Sequence, residues 1–241
     1  MTTPATRVGM ILPSSNTVVE PIAIAMVSLL SGVSVHFSRF ALTAVQVQNP
    51  AAAYYDSGAL LGAAKLLSDA RCHVICWNGS AGGLVGFERD RQLCREIAEA
   101  TGTPATTASL ALLDQFTSAG VRRFGMVTLN TPEMNQTIKE HFAREGFECT
   151  ASTHRDDMVD NFAMAQVTPD NVALAALECA QAAKRVDALI VYGTNTRGAP
   201  VARMLEEKLG IPVYDSVAWG VFGALLKAQI DIRPLTRWAP H

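Results

Sequence analysis

The feature that most constrains the fold is a short module that the chain uses twice, in two versions. Arg7-Val8-Gly9-Met10-Ile11-Leu12-Pro13-Ser14-Ser15 returns as Arg123-Phe124-Gly125-Met126-Val127-Thr128-Leu129-Asn130-Thr131. Each copy puts Gly-Met inside an apolar run and ends it in small hydroxylated or amide residues. The second version is Cys72-His73-Val74-Ile75-Cys76-Trp77-Asn78-Gly79-Ser80-Ala81-Gly82-Gly83, echoed by Asp187-Ala188-Leu189-Ile190-Val191-Tyr192-Gly193-Thr194-Asn195-Thr196. An uninterrupted apolar run of strand length that breaks into such residues before a helical pattern reads as a buried parallel strand entering a tight turn. Duplication of the module predicts two similar α/β halves, with their polar strand ends facing across a cleft.

In open α/β sheets, ligands bind beyond the carboxyl ends of the strands. Backbone N–H groups near a helix N-terminus suit an anionic oxygen there. An ordinary βα turn packed with small residues has the same composition, so repetition carries the functional reading. In chain order, strands are expected at Val8–Leu12, Val33–Phe40, 73–78, around Pro104–Thr107, from Arg123 and from Asp187, with a short one at 210–216. Helices are expected over Val18–Leu30, capped by Asn16 or Thr17, and over Tyr54–Asp69, Phe87–Ala100, Ala108–Gly120, Pro132–Glu145 and Pro200–Leu209. Lobe one would comprise residues 1–115 plus a returning C-terminal helix at about 217–241, and lobe two residues 116–216. His36 alternates with polar neighbours and reads as a surface residue. Asp156, Asp157 and Asp160 have no histidine beside them and read as a solvated helix start, not a metal cluster.

Apolar residues make up 49% of the 241 and charged ones 17%, with a net charge of −2. That is a globular composition, without the basic field that nucleic acid or an acidic membrane would need. No run of about 18 apolar residues spans a bilayer, and no secretory signal is expected ahead of Val8. The five cysteines form no C-x-x-C pair, which disfavours zinc and disulfides and fits a reduced, cytoplasmic protein.

Three segments carry a resemblance. Gly9-Met10-Ile11-Leu12-Pro13-Ser14-Ser15-Asn16-Thr17-Val18-Val19-Glu20, Val159-Asp160-Asn161-Phe162-Ala163, and Asp187–Gly193 running on to Leu209-Gly210-Ile211-Pro212-Val213 are similar to the aspartate/glutamate racemase superfamily. The likeness is to its maleate isomerase and arylmalonate decarboxylase branch. The resemblance covers nearly the whole chain. It implies two pseudo-symmetric Rossmann-like lobes with parallel sheets, a cofactor-free site in the cleft between them, and a homodimer or higher homo-oligomer. It also implies a substrate-carboxylate loop at Ser14, Ser15 and Asn16, and an Asn161 that contacts substrate. One catalytic thiol per lobe is implied at Gly79 (or Asn78) and at Gly193 (or Thr194), with Asn130 where the branch has a tyrosine. None of these positions is a cysteine. Cys76 is a poor substitute, since a thiol inside an apolar run has a raised pKa.

Without thiols, the surviving apparatus is a set of binding groups: Ser14, Ser15, Asn16, Asn78, Ser80, Ala81, Asn130, Asn161, Thr194 and Asn195, with Gly79 and Gly193 at the strand ends. Such an array suits a carboxylate or an oxyanion. Glu20 and Asp215 are the candidate bases if a dry setting raises their pKa. Three readings stay open. They are a cofactor-independent isomerase or decarboxylase acting on a small carboxylate, a hydrolase of a small amide or imide using water in the space the thiols vacate, and a carboxylate-binding protein without catalysis.

Overall fold

A computed structural model describes residues 6–42, 55–155, 160–183 and 185–238. Tyr54, Asp156, Asp157 and the last three residues of the expected C-terminal helix lie outside these. The first half runs β1 (Thr6–Pro13), α1 (Val19–Val27), β2 (Val33–Phe40), α2 (Ser57–Asp69), β3 (Val74–Trp77), α3 (Gly82–Val85), α4 (Phe87–Thr101), β4 (Ala105–Thr107) and α5 (Ala108–Ser118). The second runs β5 (Arg123–Val127), α6 (Pro132–Arg144), β6 (Glu148–Ser152), α7 (Asn161–Gln166), α8 (Pro169–Ala182), β7 (Ala188–Val191), α9 (Ala199–Leu209) and β8 (Val213–Asp215). Helix α10 (Ser216–Lys227) and a 3₁₀ turn at Arg233–Leu235 close the chain.

Each half builds a four-stranded parallel sheet. The strand orders are β2-β1-β3-β4 and β6-β5-β7-β8, the same arrangement twice. Val8 lies opposite Val74, and its echo Phe124 lies opposite Ala188. The crossover that leaves β1 runs one way to β2, and the one that leaves β3 runs the other way to β4. The gap between β1 and β3, and its counterpart between β5 and β7, is therefore the topological switch point where such sheets take ligands. The Gly-Met pair has a packing reason in both copies. A Cβ on Gly9 would crowd Leu67 and Cys72, and one on Gly125 would enter Leu189.

The largest apolar cluster is shared by the two sheets, joining Val8, Met10 and Cys76 to Phe124, Met126 and Ile190. Phe116 lies edge-on to Phe124 at 5.2 Å, and Phe142 to Tyr192 at 5.5 Å. A buried phenylalanine contributes about 1.5–3 kcal/mol, so this seam fixes the lobes together. Helix α10 leaves β8 of the second sheet and packs on β3, β4, α1 and α5 of the first.

The structure departs from the sequence reading at several boundaries. Helix α1 stops at Val27 instead of Leu30, where the Ser28 hydroxyl turns back to the Ala25 carbonyl. Helix α2 starts at Ser57 because Asp56 accepts from the Ala59 N–H. Strand β6 and helix α8 were not expected. β6 is a half-exposed edge with weak alternation, and α8 announces itself only through its Thr168 cap and Pro169. Among the described residues no helix is long and apolar enough to cross a membrane.

Candidate functional site

At the carboxyl ends of both sheets lies a cavity of about 70 Å³, room for about five water molecules or a small organic acid. From the first sheet it is lined by Pro13, Trp77, Gly79, Ser80, Ala81 and Leu84. The second contributes Asn130, Met134, Ile138, Asn161, Met164 and the run Tyr192–Asn195. Pairing register sets Gly79 as far beyond Val74 as Gly193 lies beyond Ala188. Ser80 and Thr194, each one residue further on, are thus equivalent positions of the two lobes.

Two clasps close the cavity. In the first, Asn16 Nδ2 donates to the Thr194 carbonyl at 2.9 Å, and the Thr17 N–H donates to Asn195 Oδ1 at 3.1 Å. Asn195 Nδ2 donates to the Asn161 carbonyl, and Asn161 Nδ2 to Ser15 Oγ at 2.9 Å. Asn16 Oδ1 meanwhile accepts from the Val18 and Val19 N–H groups, so it caps α1 from outside the first turn. In the second clasp the Tyr192 hydroxyl bonds to the Ser80 carbonyl and the Gly83 N–H. His141 Nδ1 donates to the Gly83 carbonyl at 2.7 Å, and Arg91 grips Glu145 through two contacts of 3.0 and 2.7 Å.

These clasps consume most of the amides. Among the described residues no side-chain hydrogen bond engages Ser80 Oγ, Thr194 Oγ1 or the Asn130 amide, although all three residues line the cavity. They are polar groups left for a ligand. Leu84, Met134, Ile138 and Met164 supply apolar lining.

Of the residues expected from sequence, Gly79, Ser80, Ala81, Asn130, Asn161, Gly193, Thr194 and Asn195 come together in the cavity. Ser15 and Asn16 stand one hydrogen bond behind it. Ser14 is exposed, its hydroxyl taken by the Leu42 backbone. Asn78 turns its amide into the core, toward the Val217 carbonyl and Met10. Glu20 is paired with Arg39 at 2.9 Å and does not line the cavity. Asp215 caps α10 through the Ala218 N–H at 2.9 Å, and burial raises its pKa to about 7, but it does not line the cavity. The space expected at position 79 is filled by the Trp77 indole. Gly193 has φ +148, a conformation that a cysteine rarely adopts. His36 is half-buried and bonds Ser34 Oγ at 3.0 Å.

A buried carboxyl was missed. Asp90 is fully enclosed beneath Gly82, accepting from Tyr55 and from Thr107 Oγ1 at 2.5 Å. Burial lifts its pKa to about 6 against these bonds. Tyr192 was also missed as a site residue, though an aromatic at the end of the apolar run was visible, and burial raises its pKa. None of the five cysteines lines the cavity, and burial raises every thiol pKa, that of Cys94 to about 12 and that of Cys179 to about 11. Among the described residues no group of three potential metal ligands converges. Asp160 caps α7 through the Ala163 N–H at 2.7 Å.

Residues 8–237 match the arylmalonate decarboxylase family. The chain is 24% identical to a maleate isomerase of Pseudomonas putida over 95% of this chain and 93% of that one. It is 27% identical to the arylmalonate decarboxylase of Bordetella bronchiseptica over 54% of this chain and 53% of that one. The fold is similar to the crystal structure of the maleate isomerase Iso from Pseudomonas putida S16. The TM-score is 0.85 at 23% identity, covering 94% of both chains.

Proposed function

The chain belongs to the arylmalonate decarboxylase family, and from that premise we propose that it is a cofactor-independent enzyme that cleaves or isomerises a small carboxylate, with decarboxylation favoured. The observation that carries this reading is the pairing of Ser80 with Thr194. Two hydroxyls that no described side chain engages, from equivalent positions of the two lobes, line one cavity together with Asn130. A carboxylate has two oxygens to offer such donors, and hydrogen bonds to a charged acceptor are the stronger kind.

The rest of the lining decides between reactions. Thiolate addition to an alkene has no agent, because no cysteine reaches the cavity. Decarboxylation asks less of the side chains. As the C–CO₂ bond breaks, its electron pair is delocalised into the remaining carboxylate as an enediolate, and the α-carbon then takes a proton from solvent water. Donors aimed at the retained carboxylate stabilise the enediolate. The leaving carboxylate, set against Leu84, Met134, Ile138 and Met164, gains by departing as neutral CO₂.

The test is separate incubation with phenylmalonate, maleate and maleamate, following CO₂ release, fumarate formation and ammonia release in turn. CO₂ from phenylmalonate with no fumarate is the expected result. Turnover of maleate alone overturns decarboxylation in favour of isomerisation, and ammonia release alone overturns the reading as a whole.

A further inference from the structure

Gly79 is covered by a ring. A Cβ placed on it would fall among Cε2, Cζ2 and Cη2 of Trp77. That ring is not free to retreat. Trp77 is 1% exposed, meets Phe40 edge-on at 5.2 Å, and belongs to one apolar cluster with Leu42, Tyr55 and Leu60. Its backbone is held on both sides, opposite Ile11 in β1 and Thr107 in β4. No hydrogen bond to Nε1 fixes the indole among the described residues, so packing alone places it. It also lines the cavity beside Gly79 and Ser80.

We infer that Trp77 is a specificity-determining residue: its indole fills the volume that a side chain at position 79 would take, and so sets how large an apolar group a ligand can carry on the lobe-one side of the cavity. This inference rests on the cavity being the carboxylate site proposed above. A phenylalanine at 77 keeps a ring against Phe40 but withdraws the atoms that reach Gly79.

Two measurements test it. The first is calorimetric binding of phenylacetate and 2-naphthylacetate to the unaltered protein and to Trp77→Phe, with Trp77→Leu as a second variant should the first fail to fold. The naphthyl acid is expected to gain about 10-fold over the phenyl acid in the variant, the scale of added apolar contact in a pocket. An unchanged ratio in a folded variant overturns the inference.

The second needs no ligand. Gly79→Ala is expected to lower the melting temperature by about 5 °C in the natural background, as overpacking does in a domain of this size, and by much less alongside Trp77→Phe. Equal losses in both backgrounds, or none in either, overturn it. Failure of both acids to bind the unaltered protein overturns the carboxylate reading itself, while the 77–79 coupling still decides whether the ring fills that volume.

Discussion

The Tyr192 hydroxyl, carried by the second sheet, donates to the Ser80 carbonyl of the first at 2.8 Å and accepts from the Gly83 N–H at 2.9 Å. One phenol thereby holds both ends of the loop that presents Ser80 to the cavity, with Ser109 Oγ 3.2 Å away as a third neighbour.

Removing that oxygen leaves a buried donor and acceptor without their partner. Tyr192→Phe should cost about 1–3 kcal/mol of unfolding free energy, measured in urea. It should also weaken carboxylate binding, because Ser80 loses its support. A Tyr192→Phe protein as stable as the natural one would mean the clasp is dispensable.

Ser80→Ala and Thr194→Val remove hydroxyls that no other described side chain engages. Each should leave the melting curve in place and reduce carboxylate affinity by about 10-fold or more, the worth of a hydrogen bond to a charged acceptor. Calorimetric titration would show it, and unaltered affinity in both variants would relocate the anion.

Asn16→Ala should behave in the opposite way. Its amide caps α1 and holds the Thr194 carbonyl, so the loss appears first in stability, at about 0.5–2 kcal/mol, with weaker binding as a consequence of a loosened 194–195 loop. Thermal unfolding and titration on one sample separate the two effects.

Asp90 gives a pH dependence of definite sign. Burial raises its pKa from an ordinary 3.8 to about 6 in the fold, against the lowering influence of Thr107, Tyr55, the Arg89 guanidinium and Ser109. The folded protein therefore holds this proton more tightly than the unfolded chain does. The contribution is fully present below about pH 4 and is lost as pH rises through 6, roughly 3 kcal/mol in all. Asp215, raised to about 7, extends the same fall upward. Urea unfolding from pH 4 to 7 should show Asp90→Asn losing less stability across that window than the natural protein. Parallel curves would refute the assignment.

Iodoacetamide at neutral pH should leave ligand binding and turnover untouched, since every thiol has a raised pKa and none lines the cavity. Inactivation blocked by a bound carboxylate would place a cysteine in the site.

The duplication was readable because it is local. Apolar runs, the Gly-Met echo and the polar strand ends need only neighbours in sequence, and they located the strand-end loops that line the cavity. What escaped depends on partners far along the chain. Asn78 and Ser80 look alike as polar residues of one turn, yet Asn78 turns toward Val217, 139 positions on. Glu20 resembled a base until Arg39 arrived beside it. Asp90 sits on a polar face of α4 in sequence, and only the approach of Tyr55 and Thr107 makes it a buried acid. The room expected at Gly79 was a glycine read without the ring that covers it.

The cavity lining contains no ionised side chain among the described residues. A ligand anion approaching it meets dipoles that fade over a short range, not a field reaching a Debye length into solvent. Capture should therefore proceed at nearly the same rate in dilute buffer and in concentrated salt. Discrimination among anions of equal charge is left to contour and hydrogen-bond direction.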